Sequence, residues 1–319
     1  MDSKQTAPFH AGERAVQERL GVRERVEQMG RAIIRDFMPE QHRDFFSMLP
    51  FIVVGAADAQ GRPWASILEG TPGFVTSPDP GSLEIHARPA DGDPLAPALA
   101  PGADLGLLGI EFATRRRNRV NGVVEGVDGP GGIRIRVKQS FGNCPKYIQA
   151  RAVEPRTEAA SRAAFRAAPR RADHLDAAQR SLVERADTFF IASVHENGSP
   201  ERSDGVDVSH RGGRPGFVKI ENERALLVPD YVGNFMFNTL GNLVTEPRAG
   251  LVFVDFASGD LLHLAVRAEI LWEGPEVDAL PGARRALRFR VDEAVRRPGA
   301  LGLRGTFLGY APNLPGMAT

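Results

Sequence analysis

The residues best suited to chemistry gather in one stretch of the second half of the chain. After a strand read over Ala225–Val228, the turn Pro229-Asp230 leads into a helix expected over Asn234–Val244. The first turn of a helix leaves backbone N–H groups free and carries the positive end of the macrodipole, so it suits an anion such as phosphate. Asn234, Asn238 and Thr239 add side-chain donors there. Asn is also a common helix cap, which leaves a purely structural reading open. The first half offers Trp64, Cys144, Lys146, Tyr147 and the run Thr114-Arg-Arg-Arg-Asn-Arg119. Trp64 either lines a ring-binding pocket or fills a core. Cys144 beside Lys146 is either a reactive thiol or a buried structural one. Arg116 and Arg117 reach an anionic ligand if their hairpin folds over a site; otherwise the run is a solvated face.

Other chemistries lack their residues. The chain has no G-x-G-x-x-G after a strand, no G-x-x-x-x-G-K-[ST] and no H-E-x-x-H. Its seven histidines are scattered without metal-ligand pairing, and neither His195 nor His210, which flank the turn region of the second half, is distinguished from the rest. One cysteine excludes an internal disulfide framework or a Cys-rich zinc site. The 40 Lys+Arg balance 40 Asp+Glu, so no global field favours nucleic acid or an anionic membrane. No apolar run approaches the roughly 20 residues of a spanning helix, and residues 1–17 have no signal-like apolar core. The expectation is a soluble cytoplasmic protein of about two domains, without nucleic-acid or membrane partners.

The elements that must position these residues are written twice. Phe51-Ile-Val-Val-Gly followed by Gly61-Arg-Pro63 recurs as Phe190-Ile-Ala-Ser-Val followed by Gly198-Ser-Pro200. Pro72-Gly-Phe-Val75 recurs as Pro215-Gly-Phe-Val218, Leu105–Phe112 as Ala249–Phe256, and Arg134-Ile-Arg-Val137 as Arg288-Phe-Arg-Val291. Each copy reads as short β-branched strands between Gly, Pro and Asp turns: in the first, Phe51–Ala56, Ala65–Glu69, Phe74–Thr76, Leu83–His86, Leu105–Phe112, Val120–Val127 and Ile133–Val137. The fold class expected is mainly β with flanking helices, two small Greek-key-like barrels in one chain. A helical segment is expected over 1–50, with an apolar stripe along Glu13–Phe37. Barrels follow over 51–155 and 187–319, and the linker 156–186 carries helices over Arg156–Ala168 and Leu175–Ala186.

The order of these motifs, with Asp230-Tyr-Val-Gly-Asn234 and Glu246-Pro-Arg248 as its most specific part, resembles the pyridoxamine 5′-phosphate oxidase-like, FMN-binding split-barrel family. Ser140-Phe-Gly-Asn-Cys-Pro-Lys-Tyr-Ile148 resembles the segment after the family's last barrel strand. The resemblance implies FMN held between two split barrels, here a dimer fused into one polypeptide. It also implies basic phosphate ligands at Lys219 and Arg202, and places Ser203, Asp230 and Tyr231 with Asn234, Asn238, Thr239, Trp64, Arg116 and Arg117 as cofactor-binding candidates. One departure is Asn238-Thr239, where family members often carry Arg-Lys. The implied function is an FMN-dependent oxidoreductase reduced by a nicotinamide nucleotide or a partner reductase, as a monomer or homodimer. The alternative is a flavin- or haem-binding carrier or interaction protein without turnover, because fold gives the cofactor class and not the reaction.

The copies differ where the phosphate would sit. The first has Pro89, Pro94, Pro97 and Pro101 in place of the helix, and Thr76 where the second has Lys219. Prolines remove donors and break a helix. One FMN per chain is therefore expected, with its phosphate on the second copy.

Overall fold

Alternating and β-branched segments pair into two antiparallel sheets whose strand orders are the same. The computed structural model describes residues 7–128, 132–157, 168–196 and 201–315. In the first half the strands are β1 (Phe51–Ala57), β2 (Pro63–Glu69), β3 (Val75–Thr76), β4 (Ser82–Ile85), β5 (Asp104–Glu111), β6 (Arg116–Asp128) and β7 (Gly132–Gly142). After β8 (Ala150–Pro155) and β9 (Arg170–Ala172), the second half gives β10 (Thr188–His195), β11 (Gly205–Gly212), β12 (Lys219–Asn222), β13 (Ala225–Asp230), β14 (Arg248–Val254), β15 (Leu261–Leu271) and β16 (Arg285–Arg297). The first sheet runs β2-β1-β5-β6-β7-β4-β3 and the second β11-β10-β14-β15-β16-β13-β12, with β9 added on β16. β17 (Leu303–Gly309) returns to pair with β8. The chain is mainly β with flanking helices, two split barrels in one polypeptide, as expected.

Register aligns the two copies strand by strand. Gly55 pairs with Gly106 in the first sheet and Ala192 with Gly250 in the second. A bulge follows Asn121 on β6 and, at the matching place, Ala265 on β15. Phe51 therefore corresponds to Thr188 and not to Phe190. The sequence alignment was two residues out on this strand, a slip that leaves the inward and outward alternation intact.

Each barrel encloses its own apolar core, the first including Phe45, Trp64 and Leu107, the second Phe189, Leu251 and Phe289. A third cluster belongs to both halves. Phe51, Val53, Ile110 and Phe112 pack there with Phe190, Val208, Val252 and Phe256. β5 rests on β11 and β14 on β2, while β1 rests on β10, so each contact has a mate when the halves are exchanged. The approach is close. A Cβ on Gly106 would lie 2.6 Å from the Val206 carbonyl oxygen, and one on its counterpart Gly250 2.4 Å from that of Pro63. This is the self-complementary interface of a two-fold dimer, closed within one chain.

The helices depart from expectation in detail. The stripe Glu13–Phe37 is two helices, α1 (Ala11–Arg19) and α2 (Arg23–Ile33), broken at Gly21 with φ 66°. α3 (Glu40–Ser47) lies against the first core through Phe45 and Phe46. α4 (Ala177–Arg185) forms within the expected Leu175–Ala186. Most of the expected helix over Arg156–Ala168, and the motif Gly198-Ser-Pro200, lie outside the described residues. α5 (Asn238–Thr245) begins four residues after Asn234, because Phe235 and Phe237 both take left-handed φ values of 63° and hold the preceding segment out of the helix.

Candidate functional site

A cleft opens where the first barrel's β6 faces β11 and the start of α5. Its volume, counting the open mouth, is about 870 Å³. The first half contributes Arg117, Arg119, Asn143, Lys146 and Tyr147; the second contributes Ser209, His210 and Arg211 from β11, Asp230 and Tyr231, and Asn234, Phe235 and Phe237 to Leu240. Residues some ninety positions apart thus share one wall.

The cleft is basic, and part of that charge is uncompensated. Arg119 donates to Asp207 at 2.8 Å and to the Ser209 hydroxyl, yet its Nε is buried without a partner. Arg211 pairs with Asp230, which also accepts from Arg285 at 2.8 Å; the Arg211 Nε is likewise buried and unpartnered. Arg117 donates through Nε to the Cys144 carbonyl at 2.7 Å. Burial, aided by Arg119 and Arg211, pushes its pKa down to about 10, so the guanidinium stays charged at neutral pH under mutual repulsion. An anion entering the cleft relieves that repulsion.

The opposite wall is aromatic. The rings of Tyr147 and Tyr231 meet at 5.0 Å, and the Tyr147 hydroxyl donates to the Val232 carbonyl at 3.0 Å. Burial raises the pKa of both phenols, further helped by Cys144 for Tyr147 and by Tyr147 for Tyr231. Tyr147, Phe235 and Phe237, all cleft-lining, account for three of the four non-glycine residues with positive φ among the described residues. Such strain concentrates where surrounding structure fixes a functional surface.

A buried polar network supports α5 from behind. His10 caps α1 by accepting from the Gly12 N–H at Nδ1, donates from Nε2 to Asn242 Oδ1 (2.7 Å) and stacks on His195 at 3.8 Å. Asn242 donates to Asp207 and to Ser193 at 3.0 Å, while Asn238 donates to Glu13. Glycines let α1 reach this position: a Cβ on Gly12 would lie 2.1 Å from the Gly241 carbonyl oxygen.

Of the residues singled out from sequence, Arg117, Arg119, Lys146, Tyr147, Asp230, Tyr231, Asn234, Asn238 and Thr239 come together in the cleft. Several of their polar groups are already engaged: Asn234 donates to Asn143 at 3.0 Å, Thr239 to Ser209 at 3.0 Å, and Asn238 to Glu13. The others stand apart. Lys219 is exposed on β12 and borders a neighbouring cavity with Arg214 and Leu280. Arg202 donates to the Lys138 carbonyl at 2.8 Å and lies 3.5 Å from Asp36. Ser203, half-buried beside it, is not part of the cleft. Trp64 is 1% exposed in the first core, with its indole donating to Asp58 at 3.1 Å. Arg116 lies over the Phe45 ring and donates to the Gln41 carbonyl. Arg211 and Ser209 were not singled out from sequence, and His210 was noted without distinction.

The two-fold mate of this cleft is filled. By register, Leu261 stands for Arg117, His263 for Arg119, Ile67 for His210 and Leu68 for Arg211. Leu261 and Ile67 pack there with Leu301 and Leu303. Ser66 and Arg297 both donate to Asp93 nearby, at 2.5 and 2.7 Å, and His263 bonds the Ala65 carbonyl through Nδ1 at 3.0 Å while its Nε2 is buried without a partner. The proline segment of the first copy forms only a 3₁₀ turn, Ala96–Ala98.

Residues 175–299 match the family model described as pyridoxamine 5′-phosphate oxidase. No curated protein matches the chain. Among solved structures, the chain is similar to an FMN-binding protein from Syntrophomonas wolfei (14% identity, 37% of this chain and 86% of that one, TM-score 0.26). It is also similar to a protein related to general stress protein 26, of the pyridoxinephosphate oxidase family, from Clostridium acetobutylicum (15%, 41% and 92%, TM-score 0.28). A third is the haem storage protein HutZ from Vibrio cholerae (13%, 39% and 96%, TM-score 0.28).

Proposed function

We propose, from the premise that the second barrel belongs to the pyridoxamine 5′-phosphate oxidase-like family, that the inter-barrel cleft binds FMN and that the protein is an FMN-dependent oxidoreductase. The observation that carries this reading is the pairing, in one cleft, of a basic wall with unpartnered buried donors on Arg119 and Arg211 and an aromatic wall of Tyr147 and Tyr231. Those residue types suit a planar ring bearing a phosphate. Bound FMN supplies the redox chemistry, accepting a hydride equivalent at its ring.

In this reading Arg117, Arg119, Arg211 and Lys146 neutralise the phosphate, and the first turn of α5 adds backbone N–H groups. Tyr147 and Tyr231 cover the ring and exclude water from it. The network of Asp207, Asn242 and His10 holds Arg119 and α5 in place. Reductant binds transiently, as a nicotinamide nucleotide or through a partner reductase. Because the mate cleft is filled by Leu261, Leu301 and Leu303, one FMN binds per chain.

Calorimetric titration of the ligand-free protein with FMN tests this, with one site per chain expected and bleaching of the bound flavin by NADH or NADPH under anaerobic conditions. Two equivalent sites would overturn the asymmetry. A flavin spectrum that no reductant bleaches would leave a carrier, and a Soret band in its place would overturn FMN in favour of haem.

A further inference from the structure

We infer that His210 hydrogen-bonds the uncharged ring end of the cleft's ligand, while the arginines hold its anionic end. The identity of that ring rests on the flavin reading above; the case for the histidine rests on the comparison of the two halves.

His210 is 5% exposed, lines the cleft, and has neither ring nitrogen in a hydrogen bond among the described residues. Orphaned buried polar atoms are uncommon, and each costs the folded state its lost hydration. The fold does not require the cost. At the two-fold-related position of β2, paired to Val53 as His210 is paired to Phe190, the first half carries Ile67, 7% exposed. The same backbone, in the same barrel-to-barrel contact, is thus satisfied by an aliphatic residue. An imidazole there, lining the cleft with two buried ring nitrogens that no protein group partners, is a group held for something that enters.

The surroundings set what that something is. The ring is gripped edge-on by Phe190 at 5.6 Å and Phe112 at 6.4 Å. Burial, then Arg117, Arg151 and Arg211, push its pKa well below the ordinary value, so it stays neutral. A neutral imidazole offers one N–H and one lone pair, whereas the guanidinium groups beside it offer only donors. Anionic oxygens are served by the arginines. The histidine complements one group on an uncharged edge, a carbonyl through its N–H or an N–H through its lone pair, such as the pyrimidine-like end of a flavin ring presents.

The test is His210→Ile, which installs the residue that the other half uses. Two properties are read: the thermal midpoint of the ligand-free protein, and affinity for FMN and for riboflavin, which lacks the phosphate. The midpoint is expected to rise by a few degrees as the orphaned atoms are removed. Affinity for both flavins is expected to fall by the same factor, on the order of tenfold. His210→Asn, which keeps a donor and an acceptor, is expected to retain more of the affinity. A lowered midpoint, unchanged affinity, or a loss confined to FMN would each overturn the assignment. Wild-type protein that binds neither flavin would overturn the flavin reading and the ring's identity with it.

Discussion

Arg119 of the first barrel meets Asp207 of the second at 2.8 Å, with the two side chains 3% and 9% exposed. Asp207 also accepts from Asn121 at 2.8 Å and from Asn242 at 3.0 Å. One carboxylate therefore ties together both barrels and the helix that lines the cleft. Asp207→Ala leaves Arg119 buried without its counter-charge, a loss of about 3–5 kcal/mol. Urea denaturation measures it; a loss below about 1 kcal/mol would mean that the pair is solvated and dispensable.

The cleft arginines govern anion binding in a way that Lys219 and Arg202 do not. Arg117→Met and Arg211→Met are each expected to weaken FMN binding by about 10- to 100-fold, the loss of a charge-assisted hydrogen bond or two. Lys219→Ala and Arg202→Ala are expected to leave it unchanged, since Lys219 is exposed beside a different cavity and Arg202 is turned to Lys138 and Asp36. Flavin fluorescence titration of the four variants decides; a drop in the second pair alone would return the phosphate to the positions that the family resemblance implied.

Acid should loosen the support of α5. The pKa of buried His10 is pushed down to about 4, by burial first and then by the stacked His195. An unfolded histidine titrates near 6.5, so between those values only the unfolded chain takes up the proton. Stability from this group is complete above about pH 6.5 and is lost as pH falls toward 4, by about 3 kcal/mol in all. Glu13 has the opposite sign: burial and Asp207 raise its pKa, so its contribution is present at low pH and lost as pH rises. Urea midpoints measured between pH 4 and 7 are expected to shift in favour of His10→Gln relative to wild type as pH falls, since the variant loses the histidine's acid penalty and keeps the opposite slope of Glu13.

The crossing of α1 and α5 leaves no room for a side chain. Gly12→Ala would bring its Cβ to 2.1 Å from the Gly241 carbonyl oxygen, so the helices must part. A cost of about 1–3 kcal/mol is expected, with weaker flavin binding because α5 lines the cleft. Thermal unfolding and flavin titration of the variant check both; native values for both would show that α1 is not needed to seat α5.

Strand content and the repeat were legible because β-branched runs and turn residues are local signals. Placement of the cleft was not, because its walls come from segments such as Arg117–Arg119 and Ser209–Arg211 that meet only through barrel packing. Alternation along β6 explains the mixed fate of the arginine run: Arg117 and Arg119 share a face toward the cleft, whereas Arg116 points to Phe45. The late start of α5 was hidden too, since two left-handed phenylalanines carry no sequence signature. His210 emerges only once strand pairing corrects the repeat by two residues and sets it against Ile67.

The approach of Gly106 to Val206, and of Gly250 to Pro63, has a consequence in mass action. Two separate barrels joined by such a contact would part on dilution, and any ligand held between them would be released. Here the contact is intramolecular, so the barrels face each other at a fixed effective concentration however dilute the protein becomes. Ligand affinity measured at nanomolar protein should therefore equal that measured at micromolar protein, a constancy that a two-chain barrel pair of ordinary affinity does not possess.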